Sequence, residues 1–381
     1  MNGMWFALSF LSFAIWMYLL IARGGYWLAR ERNDHVSPEP QHWPSVVAVV
    51  PARDEADVIA QTIGSLLAQD YPGPFRVVLV DDQSTDGTAD IARRLDNTGK
   101  LKVIAGSPRP PGWTGKLWAV AQGVAEAKAI GASDYLWLTD ADIAHTPDNL
   151  RTLVARAERG SCVLVSEMAK LHCSTLAERF LIPAFVYFFD MLYPFAWVNE
   201  PGNRTAAAAG GSMLAQRDAL ERAGGIDAIR GEIIDDCALG RRMKEQGPIW
   251  LGLTELATSI RPYEGIAEIG RMVSRSAYAQ LQYSPVLLTG TIAGMLLLYV
   301  VPVLAALDPW DPSAIAGLLA WLAMAISFQP MLRFYRVSRL WGLALPAIGL
   351  VYTAFTLDSA LKFWNGRGGM WKGRAQEMNR A

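Results

Sequence analysis

Hydrophobic and polar positions divide the chain into an apolar start, a long alternating middle and an apolar end. Residues 4–22, MWFALSFLSFAIWMYLLIA, form an uncharged run of 19. As a helix rising about 1.5 Å per residue the run is about 28 Å long, enough to cross a bilayer. It lacks the basic start, short apolar centre and small-residue cleavage site of a signal peptide, so residues 1–25 read as a retained membrane anchor. Arg23, Arg30 and Arg32 follow the run and nothing basic precedes it, which places the next residues in the cytoplasm. Three more apolar stretches, 286–307, 314–332 and 341–361, make 285–365 a C-terminal membrane region. An acidic connector, DPWDPS, joins the first two and a basic one, RFYRVSRL, follows the second, as in a transmembrane hairpin with its acidic loop outside. A full crossing by the third would put Lys362, Arg367, Lys372 and Arg374 outside, and Pro346 and Asp358 interrupt it. It reads either as a span or as a re-entrant or interfacial segment, followed by a basic tail at 366–381.

Between these regions, 40–284 alternates short β-branched runs with longer stretches at helical spacing, the pattern of a sheet layered by helices. VVAVV (46–50), RVVLV (76–80), KVIA (102–105) and YLWL (135–138) are the predicted strands. DEADVIAQTIGSLLAQ, GTADIARRL and KLWAVAQGVAEAKA are the predicted helices between them. The fold class is therefore α/β. In open sheets of this kind ligands bind beyond the carboxyl ends of the strands, and the acidic clusters of this chain fall there.

Composition narrows the field. The 35 Lys and Arg against 36 Asp and Glu leave a formal net charge of -1, which supplies no positive field for a polyanion and disfavours nucleic acid as a partner. Hydrophobic residues at 52% and charged residues at 19% exclude a disordered chain, and 14 tryptophans suit a membrane interface. Cys162, Cys173 and Cys237 cannot build a disulfide framework and read as structural thiols in a reducing compartment.

Three acidic sets carry the candidate chemistry. Asp81 and Asp82 open the run DDQSTDG at the end of a predicted strand. Helix capping accounts for Thr85 or Asp86 but not for the two preceding carboxylates, which suit the hydrogen-bond donors of a base and a ribose. No Gly-rich phosphate loop accompanies them, which weighs against an ordinary kinase or dehydrogenase. Asp140 and Asp142, two apart on an extended chain, point the same way and can approach one Mg²⁺ or Mn²⁺ shared with substrate phosphates. Nearby His145 either joins that ion or is a surface or capping histidine. Asp235 and Asp236 open a predicted helix, where they either complement its dipole or supply a general base, Asp236 being preferred.

With PARDE (51–55), VDDQSTDGT, TDAD, the Gly210-Gly211 loop and IIDDCALGRR in this order, the chain resembles family 2 glycosyltransferases of the GT-A fold. The phrases PPGWTGKLWAVAQG, AGGIDAIRGEIIDDCALG and MVSRSAYAQLQYS are similar to the hopanoid-biosynthesis-associated glycosyltransferases of bacteria. That resemblance implies a GT-A-type open mixed sheet with flanking helices. It also implies inverting transfer from a nucleotide-diphosphate sugar, most often a UDP-sugar, with a divalent cation. Pro51, Ala52, Arg53 and Glu55 match the first nucleotide loop, and Asp81 and Asp82 match the uridine-reading pair. Lys116 matches a residue near nucleotide and diphosphate, Asp140 and Asp142 match the metal motif, and Asp236, beside Asp235, matches the catalytic base. Where many membrane-bound relatives carry Gln-x-x-Arg-Trp, this chain has EIGRMVSRSAY, leaving Arg271 or Arg275 to clamp the diphosphate. Without that tryptophan a single addition is expected rather than polymer synthesis.

The aromatic stretch 176–198 is broken by Glu178, Arg179, Pro183, Asp190 and Pro194, and reads as an interfacial segment or as core packing. A lipid acceptor at the bacterial inner membrane, reached from the cytoplasm, is expected. The resemblance would make it a hopanoid, but the residues do not separate that from a polyprenyl phosphate, a diacylglycerol or a sphingolipid. The competing readings are a catalytically idle scaffold that binds nucleotide sugar or partners in a lipid-pathway complex, and a transporter, for which so few spans leave little pathway.

Overall fold

The computed structural model describes residues 2–33, 39–131, 133–308 and 310–366, with two short strands at 370–371 and 374–375. The rest of the basic tail expected at 366–381 lies outside the described residues. The chain forms two compact units, the first made of Met1–Arg30, Cys173–Ala196 and Pro262–Gly368, the second of Glu31–His172, Trp197–Arg261 and Gly369–Ala381.

The second unit is built on one open mixed sheet. Its strands are β1 (Val46–Ala52), β2 (Phe75–Asp81), β3 (Leu101–Ala105), β4 (Tyr135–Thr139), β5 (Ile143–His145), β6 (Leu164–Lys170), β7 (Ser212–Gln216) and β8 (Ile249–Ser259), in the order β3-β2-β1-β4-β7-β6-β8-β5. The four predicted strands are β1 to β4, and they run parallel. β7 is antiparallel to both β4 and β6, β6 is parallel to β8, and β5 is antiparallel to β8. β1 is buried at all seven positions, which is why it reads as an unbroken apolar run. Gly123 lets the helix Gly115–Ala129 lie close to the sheet, since a Cβ there would stand 2.4 Å from Val49 Cγ1. The register pairs Val46 with both Phe75 and Tyr135, so β1, β2 and β4 start level and run parallel, and they deliver Arg53, Asp82 and Asp140 to one end of the sheet.

The first unit holds four helices long and apolar enough to cross a membrane: Gly3–Ala22, Pro285–Ala306, Ser313–Phe334 and Arg339–Trp364. Pro302 has no N–H to give the carbonyl of Leu298 one turn back. That carbonyl instead accepts from Trp16 Nε1 of the first helix at 3.1 Å, and a π-helical turn, Leu296–Val300, precedes the proline. The features that interrupt the last stretch are accommodated. Pro346 sits in the first turn of the helix Leu345–Trp364, where its missing N–H has no partner to lose. Asp358 accepts from Ser274 Oγ at 2.7 Å and pairs with Lys362 one turn on.

The stretch 176–198 contributes the helix Leu176–Leu192 to the first unit. A capping box between Thr175 and Glu178 starts it, and buried Glu178 also accepts from Tyr263 N at 2.8 Å. Arg23 caps its far end, donating to the carbonyls of Met191 and Leu192 at 3.1 Å each. Its aromatic side chains pack against rings of the same unit, Tyr187 on Tyr26 and Phe328, and Phe188 on Tyr299 and Tyr352.

Candidate active site

Two loops meet at the ends of β1 and β2. β1 ends with Pro51 and Ala52 and leads into Arg53-Asp54-Glu55, while β2 ends at Asp81 and leads into Asp82. Arg53 Nη1 donates to the Asp82 carbonyl at 2.5 Å and lies 3.7 Å from Asp82 Oδ2. Asp54 and Gln83 hold φ of 48° and 58°, a region that side-chain-bearing residues seldom occupy. Hydrogen bonds between the loops maintain it. Asp54 N donates to Ser84 Oγ at 3.0 Å, Thr85 N to Asp54 Oδ1 at 2.8 Å, Glu55 N to Thr88 Oγ1 at 2.9 Å and Ala56 N to Asp86 Oδ2 at 2.9 Å. Burial would raise the Asp86 carboxyl, but hydrogen bonds from Thr88 and Ala56 prevail and hold it below the usual range. Two buried atoms in these loops, Asp81 Oδ1 and Arg53 Nε, have no hydrogen-bond partner among the described residues.

A second group forms around Lys116, in the first turn of the helix Gly115–Ala129, which Thr114 caps by accepting from Leu117 N. Lys116 Nζ lies 3.0 Å from Asp140 Oδ1 and 3.1 Å from Asp235 Oδ2. Burial disfavours its charge, yet Asp140 and Asp235 hold the ammonium well above its ordinary pKa. Burial raises Asp140 despite Lys116. Asp235 and Asp236 open the helix Asp235–Lys244 but sit in different surroundings. Asp236 accepts from Gly210 N at 3.0 Å and from Cys237 N at 2.7 Å, and burial followed by repulsion from Asp235 pushes its pKa up. Gly210 leaves this space open, since a Cβ there would lie 3.5 Å from Asp236 Oδ2 and 3.4 Å from Lys116 Nζ. Leu117, Leu138, Met213 and Leu239 form an apolar wall beside the group.

Asp142 faces Arg261, whose Nε lies 3.5 Å from Asp142 Oδ2, and the same guanidinium pairs with Glu55 and Asp57. Among the described residues no three His, Cys, Asp or Glu side chains gather as a metal cage. Asp140 and Asp142 are nevertheless hard oxygen donors two positions apart, with about a third of each side chain exposed (33% and 28%). That donor set fits Mg²⁺ or Mn²⁺, which ordinarily takes one or two carboxylates and completes its shell with water and phosphate.

His145 is buried and takes neither of the positions expected for it. Thr139 Oγ1 gives its one proton to the Gly211 carbonyl at 2.8 Å, so it accepts from His145 Nε2 at 2.9 Å, and His145 Nδ1 accepts from Asn149 Nδ2 at 2.9 Å. Both ring nitrogens are thus occupied, and burial holds the imidazole neutral by lowering its pKa to about 3. The ring fixes the end of β4 against the glycine loop. His145→Ala is expected to destabilise the protein by about 2–3 kcal/mol, from the cavity and the unpaired polar groups it leaves. Thermal unfolding of the detergent-solubilised chain measures this.

The second unit brings together Pro51, Ala52, Arg53, Glu55, Asp81, Asp82, Lys116, Asp140, Asp142, Asp235 and Asp236, the residues singled out in the sequence. Arg271 and Arg275 belong to the first unit, in and just after the helix Ile266–Ser274. Sequence reasoning missed Arg261, whose place depends on strand pairing, and the Gly210 amide as a partner of Asp236.

An open mixed sheet with acidic loops gathered at its strand ends has the architecture of the GT-A class of glycosyltransferases. Residues 47–223 match the family "Glycosyl transferase family 2". The chain is 26% identical over 239 residues to the "Probable glycosyltransferase YdaM" of Bacillus subtilis (strain 168), covering 58% of this chain and 54% of that protein. It is 33% identical over 113 residues to the "Succinoglycan biosynthesis protein ExoA" of Rhizobium meliloti (strain 1021), 30% of this chain and 32% of that one. The chain thus spans about half the length of the first of these relatives, or less for the second. Among solved structures, the mannosyltransferase PcManGT from Pyrobaculum calidifontis, in complex with GDP-Man and Mn²⁺, shares the fold with a TM-score of 0.55. It is 21% identical, and the match covers 95% of this chain and 99% of that one.

Proposed function

We propose that the protein is a membrane-bound, metal-dependent inverting glycosyltransferase of the hexosyl type. It moves a sugar from a nucleotide-diphosphate sugar, a UDP-sugar in the first instance, to a lipid acceptor. The observation that carries this reading is the division of labour between two adjacent carboxylates. Asp235 is neutralised by Lys116, whereas Asp236 is oriented by two backbone amides and has a raised pKa, as a general base requires. Asp236 accepts the proton of an acceptor hydroxyl as that oxygen bonds to the anomeric carbon and the bond to the diphosphate breaks on the opposite face. One displacement inverts the centre without a covalent enzyme intermediate. Asp140 and Asp142 would hold a divalent cation, Mg²⁺ or Mn²⁺, which would neutralise charge on the departing diphosphate.

Asp81 Oδ1, which has no hydrogen-bond partner among the described residues at the end of β2, suits a donor on the edge of a base such as uracil. The four apolar helices support a membrane location and an acceptor drawn from the bilayer. The hopanoid acceptor rests on the sequence phrases that resemble that subgroup, and the cytoplasmic face on Arg23, Arg30 and Arg32 after the first apolar run.

The test is turnover by the chain reconstituted in liposomes with bacterial lipid extract, Mn²⁺ and a panel of nucleotide-diphosphate sugars. Release of nucleoside diphosphate together with a new glycolipid is expected for one donor. Tight donor binding with no turnover across the lipid panel would favour the idle-scaffold reading instead.

A further inference from the structure

The antiparallel ladder between β5 and β8 carries a guanidinium to the acidic strand ends. Ile143 pairs with Ser259, and Ile260 N donates to the Asp142 carbonyl at 3.0 Å, so the next residue, Arg261, falls beside Asp142. Its Nε lies 3.5 Å from Asp142 Oδ2, its Nη1 lies 3.3 Å from Asp57 Oδ2, and its Nη2 pairs with the buried carboxylate of Glu55. Arg261 is itself only 29% exposed, so these pairs are less screened than surface ones. Lys116 meanwhile occupies Asp140 Oδ1. Both carboxylates of the Asp-Ala-Asp segment therefore carry a cation of the protein's own.

We propose that Arg261 is a built-in counter-ion for Asp142, which keeps free divalent cations off the site and makes their binding depend on the donor's diphosphate. The inference rests on the reading of Asp140 and Asp142 as cation-binding carboxylates. A divalent ion on Asp142 would stand within a few ångströms of the guanidinium and must overcome its repulsion. A diphosphate brings the negative charge that offsets both. Arginine suits the role because it stays charged at every accessible pH, and its fork holds Asp142 and Glu55 at once.

The test is Mn²⁺ binding to the full chain in liposomes, followed by the electron paramagnetic resonance of the free ion, first alone and then with UDP. Native protein is expected to bind Mn²⁺ weakly alone and at least about tenfold more tightly with UDP, given the charge balance at these distances. Arg261→Gln is expected to bind Mn²⁺ alone about tenfold more tightly than native protein and to lose most of the UDP dependence, because the repulsion is gone. Arg261→Lys, which keeps the charge, should behave like native protein. Circular dichroism checks that each variant is folded, and Arg261→Met, which keeps the aliphatic stem, replaces the glutamine variant should that one unfold. Native-like weak binding of Mn²⁺ alone by the uncharged variants, with binding in UDP still abolished by Asp142→Asn, would overturn the counter-ion role while sparing the metal site. Unchanged binding in both Asp140→Asn and Asp142→Asn would overturn the metal site and the inference together.

Discussion

Asp236→Asn is expected to slow sugar transfer about a thousandfold while changing donor affinity only a few-fold, the pattern of a group needed in the transition state rather than for binding. The asparagine keeps the shape and can still accept from one of the two amides, Gly210 N or Cys237 N, that orient the native carboxylate. It cannot take a proton. Thermal stability should change little, because relief of a buried charge offsets the one acceptor lost. In the native protein the base works only when ionised, so kcat/KM rises with pH and levels off once Asp236 is deprotonated. Burial and Asp235 raise that pKa, so the acid limb should lie above the ordinary aspartate value of about 3.9. Asp235→Asn should behave differently, weakening donor binding as well, because it frees Lys116 from one of its two anchors. Steady-state kinetics on both variants separates the two roles. Equal losses in kcat and donor affinity for Asp236→Asn would contradict its assignment.

Removal of divalent cations is the second large effect. Excess EDTA is expected to lower transfer at least about a hundredfold, since Asp140 and Asp142 leave the diphosphate charge to be balanced by a metal. Added Mn²⁺ or Mg²⁺ should restore the native protein. Asp140→Ala should be inactive to a similar degree and not recover, and should in addition remove one of the carboxylates paired with Lys116, leaving Asp235. Full activity in EDTA would show that the protein's own cations, Lys116 and Arg261, are sufficient.

Half of the sheet was legible in the sequence, and the reason lies in burial. β1, β2 and β4 are apolar because they are largely buried, and each leads into an acidic loop that marks the boundary, whereas the edge strand β3 is only partly covered. β5 to β8 escape the same pattern. β5 has only three residues, and β6 runs through Ser166 and Glu167, which are buried yet polar. Glu167 is satisfied there by Asn33 Nδ2 at 2.7 Å and Ser212 Oγ at 3.1 Å, partners from distant segments that no local pattern shows. The candidate site was legible wherever its residues directly follow a strand or begin a helix, as Asp82, Asp140 and Asp235 do. Arg261 was not, because its approach to Asp142 is set by antiparallel register between β5 and β8. His145 was misplaced for a related reason: its neighbours Thr139 and Asn149 lie near in sequence, but its burial is a property of the folded sheet. In the first unit, Pro346 and Asp358 look like interruptions until helix position and the partners Ser274 and Lys362 are known.

The most direct test of lipid glycosylation through Asp236 is mass spectrometry of lipid extracts from cells expressing the native protein or Asp236→Asn at equal abundance. A sugar-bearing lipid present with the native protein and absent with the variant is predicted, and its mass would give the sugar class and the acceptor together. The same glycolipid at the same level with both proteins would contradict the account.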